Sequence, residues 1–97
     1  MLAVKLHSEN GEVLLAACDD ELLGKTLTEG RVKLYVSENF YNGEMIPDAI
    51  LVERMKSVAI MNLVGNRAVD IAIREGYVKE DCVMTIQGVK HAQVVRM

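Results

Sequence analysis

The chain closes on "GVKHAQVVRM", a stretch of aliphatic strand character that carries His91 and Gln93 two residues apart. In a strand, residues i and i+2 share a face. Val89, His91, Gln93 and Val95 therefore lie together, and Lys90, Ala92, Val94 and Arg96 lie opposite. The two cations mark the opposite face as the wetter one, so His91 and Gln93 are expected to point toward the core or a cleft at its edge. An unpaired buried polar group costs about 1–3 kcal/mol, so both side chains need partners. Asn62, in the irregular "MNLVGN" turn, is the obvious one. Two readings follow. The three residues form an internal hydrogen-bond network that pins the turn to the sheet, or they line a polar pocket for a small ligand. In the pocket, a near-neutral pKa would let His91 act as acid or base. No nucleophile or second acid lies near it in sequence.

Other residue types capable of chemistry are weaker candidates. In "CDDE", Cys18 is a possible nucleophile and Asp19, Asp20 and Glu21 a possible cation site. A cysteine ending an apolar strand is more often inert packing, and adjacent carboxylates point in different directions. A zinc site would require His7, Cys18, Cys82 and His91 to converge without a close ligand pair to seed it. No metal and no cofactor are expected. The glycine turn before "NRAVDIAIREG" offers free backbone N–H groups to an anion, and Arg67 adds charge, so Gly65, Asn66 and Arg67 form a candidate anion contact. The turn lacks the second glycine of hairpins that grip nucleic-acid phosphates. Its plainer reading is a tight turn with Arg67, Asp70 and Arg74 as surface ion pairs.

The elements that must position these residues are mostly legible. "LAVKLHSE" alternates as a half-buried strand. Asn10-Gly11 predicts a type I′ hairpin, and the unbroken apolar run Val13 to Cys18 predicts a central return strand. Asp19 or Asp20 is expected to cap a short helical turn closed by Gly24. "RVKLYV" alternates as a strand with Arg31, Lys33 and Tyr35 nearer water, and Ser37 caps "ENFY". Pro47 and Asp48 open a helix expected over about residues 47 to 60, with "VAIMNLV" alternatively a short buried strand. Asn66 caps a second, mostly buried helix that Gly76 ends. "CVMTI" and "VKHAQVVR" flank Gln87-Gly88 as a second hairpin. Strands, then helices, then strands predict an α+β fold. The sheet is largely antiparallel, two hairpins plus an extra strand, with two helices packed on one side.

The chain's 97 residues suit a single globular domain spanning residues 1–97. With 51% hydrophobic residues but only 4% aromatic, the core must be aliphatic. The net charge of −3 argues against a general nucleic-acid binder, yet it is uneven. Residues 1–48 hold nine acids and four bases, and residues 49–97 hold five acids and seven bases. No apolar run approaches the roughly 20 residues of a membrane span, and no signal peptide is evident. Two distant cysteines suit a reducing cytoplasm.

"CDDELLGKTLTEG", "LYVSENFYNGE", "NLVGNRAVDIAIREG" and "GVKHAQVVRM" together resemble a small archaeal family, the domain of unknown function numbered four hundred and twenty-four. The "NLVG" and "HAQ" stretches carry most of the likeness, and Lys90 departs from it, standing where the pattern has proline. The resemblance implies an archaeal, cytoplasmic, single-domain protein and carries over no activity. The expectation is therefore a non-enzymatic binding or accessory module, with RNA or a translation component as partner through the basic second half and Arg67. The alternatives are a small-ligand-binding protein or enzyme built on His91, Gln93 and Asn62, and a homo-oligomer joined through Tyr41–Ile46.

Overall fold

The computed structural model describes residues 1–96. The strands are β1 (Leu2–Glu9), β2 (Glu12–Asp19), β3 (Thr26–Glu29), β4 (Val32–Tyr35), β5 (Glu44–Ile46), β6 (Ile60–Val64), β7 (Met84–Ile86) and β8 (Val89–Val95). The helices are α1 (Glu38–Tyr41), α2 (Asp48–Met55) and α3 (Asn66–Arg74). Six strands form one mixed sheet in the order β5-β1-β2-β6-β8-β7, and β3 and β4 form a separate two-stranded hairpin. The fold is α+β, and the one parallel pair among the described strands joins β2 to β6 at its centre.

Local turn chemistry sets both hairpins of the main sheet. Asn10 and Gly11 adopt φ of 54° and 80°, and Gln87 and Gly88 adopt 54° and 77°. Both central residues at positive φ match the right-handed twist of the flanking strands. β2 is buried without a break from Leu15 to Asp19, because each of its faces is covered. On the first face, α2 and α3 bury Leu51, Met55, Val69 and Ala72 against Leu15, Leu63, Ala92 and Val94. On the second, α1, the single turn Asp20–Leu22 and the β3–β4 hairpin bury Tyr41, Leu22 and Leu27 against Ala16, Cys18 and Val64.

Several expectations change. The helix expected over 47 to 60 stops at Met55, and "IMNLV" is strand β6. The apolar run fits either period, and the vacant edge of β2 selects the strand. The extra strand, β4, is not in the main sheet but pairs with β3, a strand that the alternation did not announce. Lys90 and Arg96 do not mark a wet face, because Ala92 and Val94 between them are buried beneath the helices. The two cations sit at the ends of β8 and carry their charged heads outward. Lys90 reaches Asp70 at 2.6 Å, and Arg96 lies over the Tyr77 ring at 4.9 Å. The backbone N–H of Lys90, which proline would lack, donates to Asn66 Oδ1 at 2.9 Å.

Candidate functional site

The register across the sheet decides which side chains meet on its second face. Lys5, Ala16, Asn62 and Gln93 form one row across β1, β2, β6 and β8. Ala3, Cys18, Val64, His91 and Met84 form the next. The sheet therefore brings Asn62 beside His91, as expected. Tyr41 Oη donates to Asn62 Oδ1 at 2.8 Å, and His91 Nε2 lies 3.4 Å from the same oxygen. One carboxamide oxygen thus serves two side chains on two further elements. Gln93 is exposed, so its expected inward direction is corrected. The covering layer of α1 and the hairpin stops short of that end of β8.

The groups capable of acid, base or nucleophilic work are damped by burial. Desolvation, with the neighbouring Asp19, Asp20 and Glu21 carboxylates, pushes the Cys18 thiol up to about 12. Desolvation also raises the Tyr41 phenol. Burial holds the half-buried His91 below its usual 6.5. The unfolded chain then binds this proton more tightly than the folded one. The contribution to stability is complete above about pH 6.5 and is lost as pH falls through the lower folded value. The melting temperature is expected to fall between about pH 7 and pH 5, and His91→Asn to flatten that fall. A variant with the parent's pH profile would refute the assignment.

At Gly65, Asn66 and Arg67 an anion is already present, and it belongs to the chain. Asp19 accepts from Arg67 N at 3.1 Å through Oδ2 and from Ala68 N at 2.9 Å through Oδ1. The carboxylate expected to cap its own neighbours instead caps α3, whose N-terminus favours negative charge. Asn66, expected as that cap, donates to Gly88 O at 3.3 Å and receives Lys90 N. Arg67 pairs with Asp48 at 2.6 Å rather than with Asp70, and Arg74 lies 3.4 Å from Glu75. Among the described residues no cluster of three His, Cys, Asp or Glu could hold a metal ion. Around Tyr41–Ile46, Tyr41 and Ile46 are each only 3% exposed, which leaves Met45 as the large apolar side chain open to solvent.

The feature that sequence reasoning missed is the β3–β4 hairpin, of which only the β4 strand was expected. Gly30 at φ 60°, followed by Arg31 at negative φ, makes its turn, and Leu27 opposite Leu34 packs inward. Thr26 opposite Tyr35 and Thr28 opposite Lys33 then form the outer face. Lys25, Arg31, Lys33 and Tyr35 are exposed. Elsewhere, Arg54, Lys56, Arg67, Arg74 and Lys90 are each paired with a carboxylate. Lys5 holds Asn39 O, and Arg96 holds Val58 O. Among the described residues, the cations without such a partner are Lys25, Arg31 and Lys33, together with Lys79. The alternation in "RVKLYV" signalled their exposure, but only the coordinates reveal their lack of partners.

A family model described as "Protein of unknown function (DUF424)" matches residues 7–97. A search of curated proteins finds no match. Among solved structures, the chain is similar to an uncharacterized conserved protein from Methanopyrus kandleri, with a TM-score of 0.80 and 28% identity. That likeness covers 99% of this chain and 93% of the other. Among the described residues, no helix is long and apolar enough to cross a membrane.

Proposed function

The chain belongs to the DUF424 family of proteins of unknown function, and from there we propose that it is a non-enzymatic binding module of the archaeal cytoplasm that holds RNA on the outer face of the β3–β4 hairpin. One observation carries the reading: of the four uncommitted cations among the described residues, Lys33 stands on the outer face of this hairpin, Arg31 in its turn and Lys25 at its base. Free cations gain more from phosphate than cations that must first leave a carboxylate. The expected contact at Gly65, Asn66 and Arg67 loses its support, since Asp19 occupies two amides of the turn and Asp48 holds the guanidinium. A catalytic reading is poorly supported, because the Cys18 thiol stays protonated at neutral pH and the Tyr41 phenol is buried. The small-ligand alternative at His91, Gln93 and Asn62 has less support than the hairpin. Tyr41 and His91 already share the Asn62 oxygen, and Gln93, though opposite Asn62 in the register, is exposed to solvent.

The test is a filter-binding titration of mixed-sequence RNA across a range of salt. Reversing Lys25, Arg31 and Lys33 to glutamate is expected to weaken binding more than tenfold. The same change should flatten the dependence of log K on log salt by about 2, since each single-strand phosphate contact contributes about 0.7. Arg67→Glu is expected to leave binding unchanged. Absence of RNA binding at low salt, or equal loss in Arg67→Glu, would overturn the proposal.

A further inference from the structure

Tyr35 is the one aromatic ring that the fold leaves bare. The chain has four such rings, three Tyr and one Phe. Phe40 stacks on His7 with centroids 4.5 Å apart and meets Tyr41 edge-on at 4.9 Å. Tyr41 is buried, and Tyr77 carries the Arg96 guanidinium. Tyr35 is 57% exposed and takes part in no ring or cation contact among the described residues. Its cross-strand neighbour is Thr26, a side chain too short to cover a ring. Along β4, Lys33 lies on the same face about 7 Å away, two strand residues distant.

The platform is held firmly at both ends. At its base, Gly24 N donates to Val36 O and Val36 N donates to Lys25 O, both at 2.8 Å. At its tip side, Thr28 N donates to Gln87 Oε1 and Gln87 N donates to Glu29 Oε1, both at 2.9 Å. The second of these bonds occupies Glu29, the single acid between Lys25 and Tyr35, on the turn of the neighbouring hairpin. Tyr35 and Lys33 are therefore presented together on a braced face, with Arg31 at its turn and Lys25 at its base, and little order has to be created when a ligand arrives.

We infer that this face reads single-stranded RNA, an unpaired base stacking on Tyr35 while Lys33, Lys25 and Arg31 hold the flanking phosphates. The inference rests on the hairpin being the RNA contact. It adds the choice of strand state, which cations alone do not make. Every unpaired base offers a π-face to an aromatic side chain, whereas a duplex keeps its faces stacked internally. Preference is therefore expected for unpaired over paired RNA, with little sequence discrimination.

The experiment measures fluorescence anisotropy with a labelled RNA of about 12 nucleotides, alone and annealed to its complement, with heparin as a polyanion that has no bases. Tyr35→Ala is expected to weaken single-strand binding on the order of tenfold. It should leave heparin affinity unchanged, and Tyr35→Phe should retain the parent's single-strand affinity. Melting curves that match the parent confirm that each variant is folded. If heparin and RNA bind through Lys25, Arg31 and Lys33 but Tyr35→Ala is silent, or the duplex binds as tightly as the strand, the stacking inference falls and the hairpin reading stands. If neither RNA nor heparin binds at low salt, both fall.

Discussion

Gly65→Ala is expected to lower stability by about 4 kcal/mol and the melting temperature by roughly 20 °C. Gly65 holds φ 115° and ψ 145° immediately before α3, a backbone region that side-chain-bearing residues avoid. The new methyl would also meet the Asp19 carboxylate, lying 2.5 and 2.6 Å from its two oxygens. Asp19 is 6% exposed and engaged with two amides, so it can retreat only by releasing them. Strain of about 1–3 kcal/mol therefore adds to loss of a helix cap, worth about 1–2 kcal/mol. For a domain whose whole stability is of order 5–15 kcal/mol, this is a large share. Differential scanning calorimetry provides the readout, and a fall of less than about 5 °C would be incompatible with the contact described.

Asp19→Ala is expected to cost about 3 kcal/mol. It removes two charge-assisted hydrogen bonds and leaves the Ala68 amide buried without a partner. Asp19→Asn keeps an acceptor but loses the charge that complements the helix terminus, and should fall between the two. The effects at positions 19 and 65 are coupled. Once Asp19 is alanine, the methyl of Gly65→Ala has no carboxylate to meet and adds only its backbone strain. Urea denaturation of both single variants and the double variant should give a combined loss about 1–2 kcal/mol smaller than the sum. Strict additivity would mean that the two residues do not press on one another.

The parts of this fold that were legible in sequence are those decided locally. Asn10-Gly11 and Gln87-Gly88 carry their turn geometry in two adjacent residues, and Ser37 caps α1 by accepting from Phe40 N three residues on. The parts that were not legible depend on distant partners. Asp19 looks like a cap for the residues beside it, yet the amide it binds at Arg67 is 48 positions away. "IMNLV" satisfies a helical or an extended period equally, and only the opening beside Leu14–Cys18 decides between them. In the candidate polar cluster, parity placed His91 and Gln93 on one face, and Asn62 was expected as their partner from a turn, whereas it lies in β6 opposite Gln93. Parity could not show where the covering layer ends, so Gln93 emerged in solvent. The cations of the hairpin were visible as exposed, but their lack of partners is a fact about every carboxylate among the described residues.

The parallel pairing of β2 with β6 also bears on how the chain is made. While the N-terminal half leaves the ribosome, the β1–β2 hairpin can close at once. Its Leu14–Cys18 edge then waits for a strand that has yet to be synthesised. An unpaired apolar edge of this kind is a template for association with other nascent chains. Asp19, at the end of that edge, keeps a charge at the exposed terminus until the amides of α3 arrive to receive it. A carboxylate beside an unpaired apolar edge disfavours pairing with a like edge of another chain.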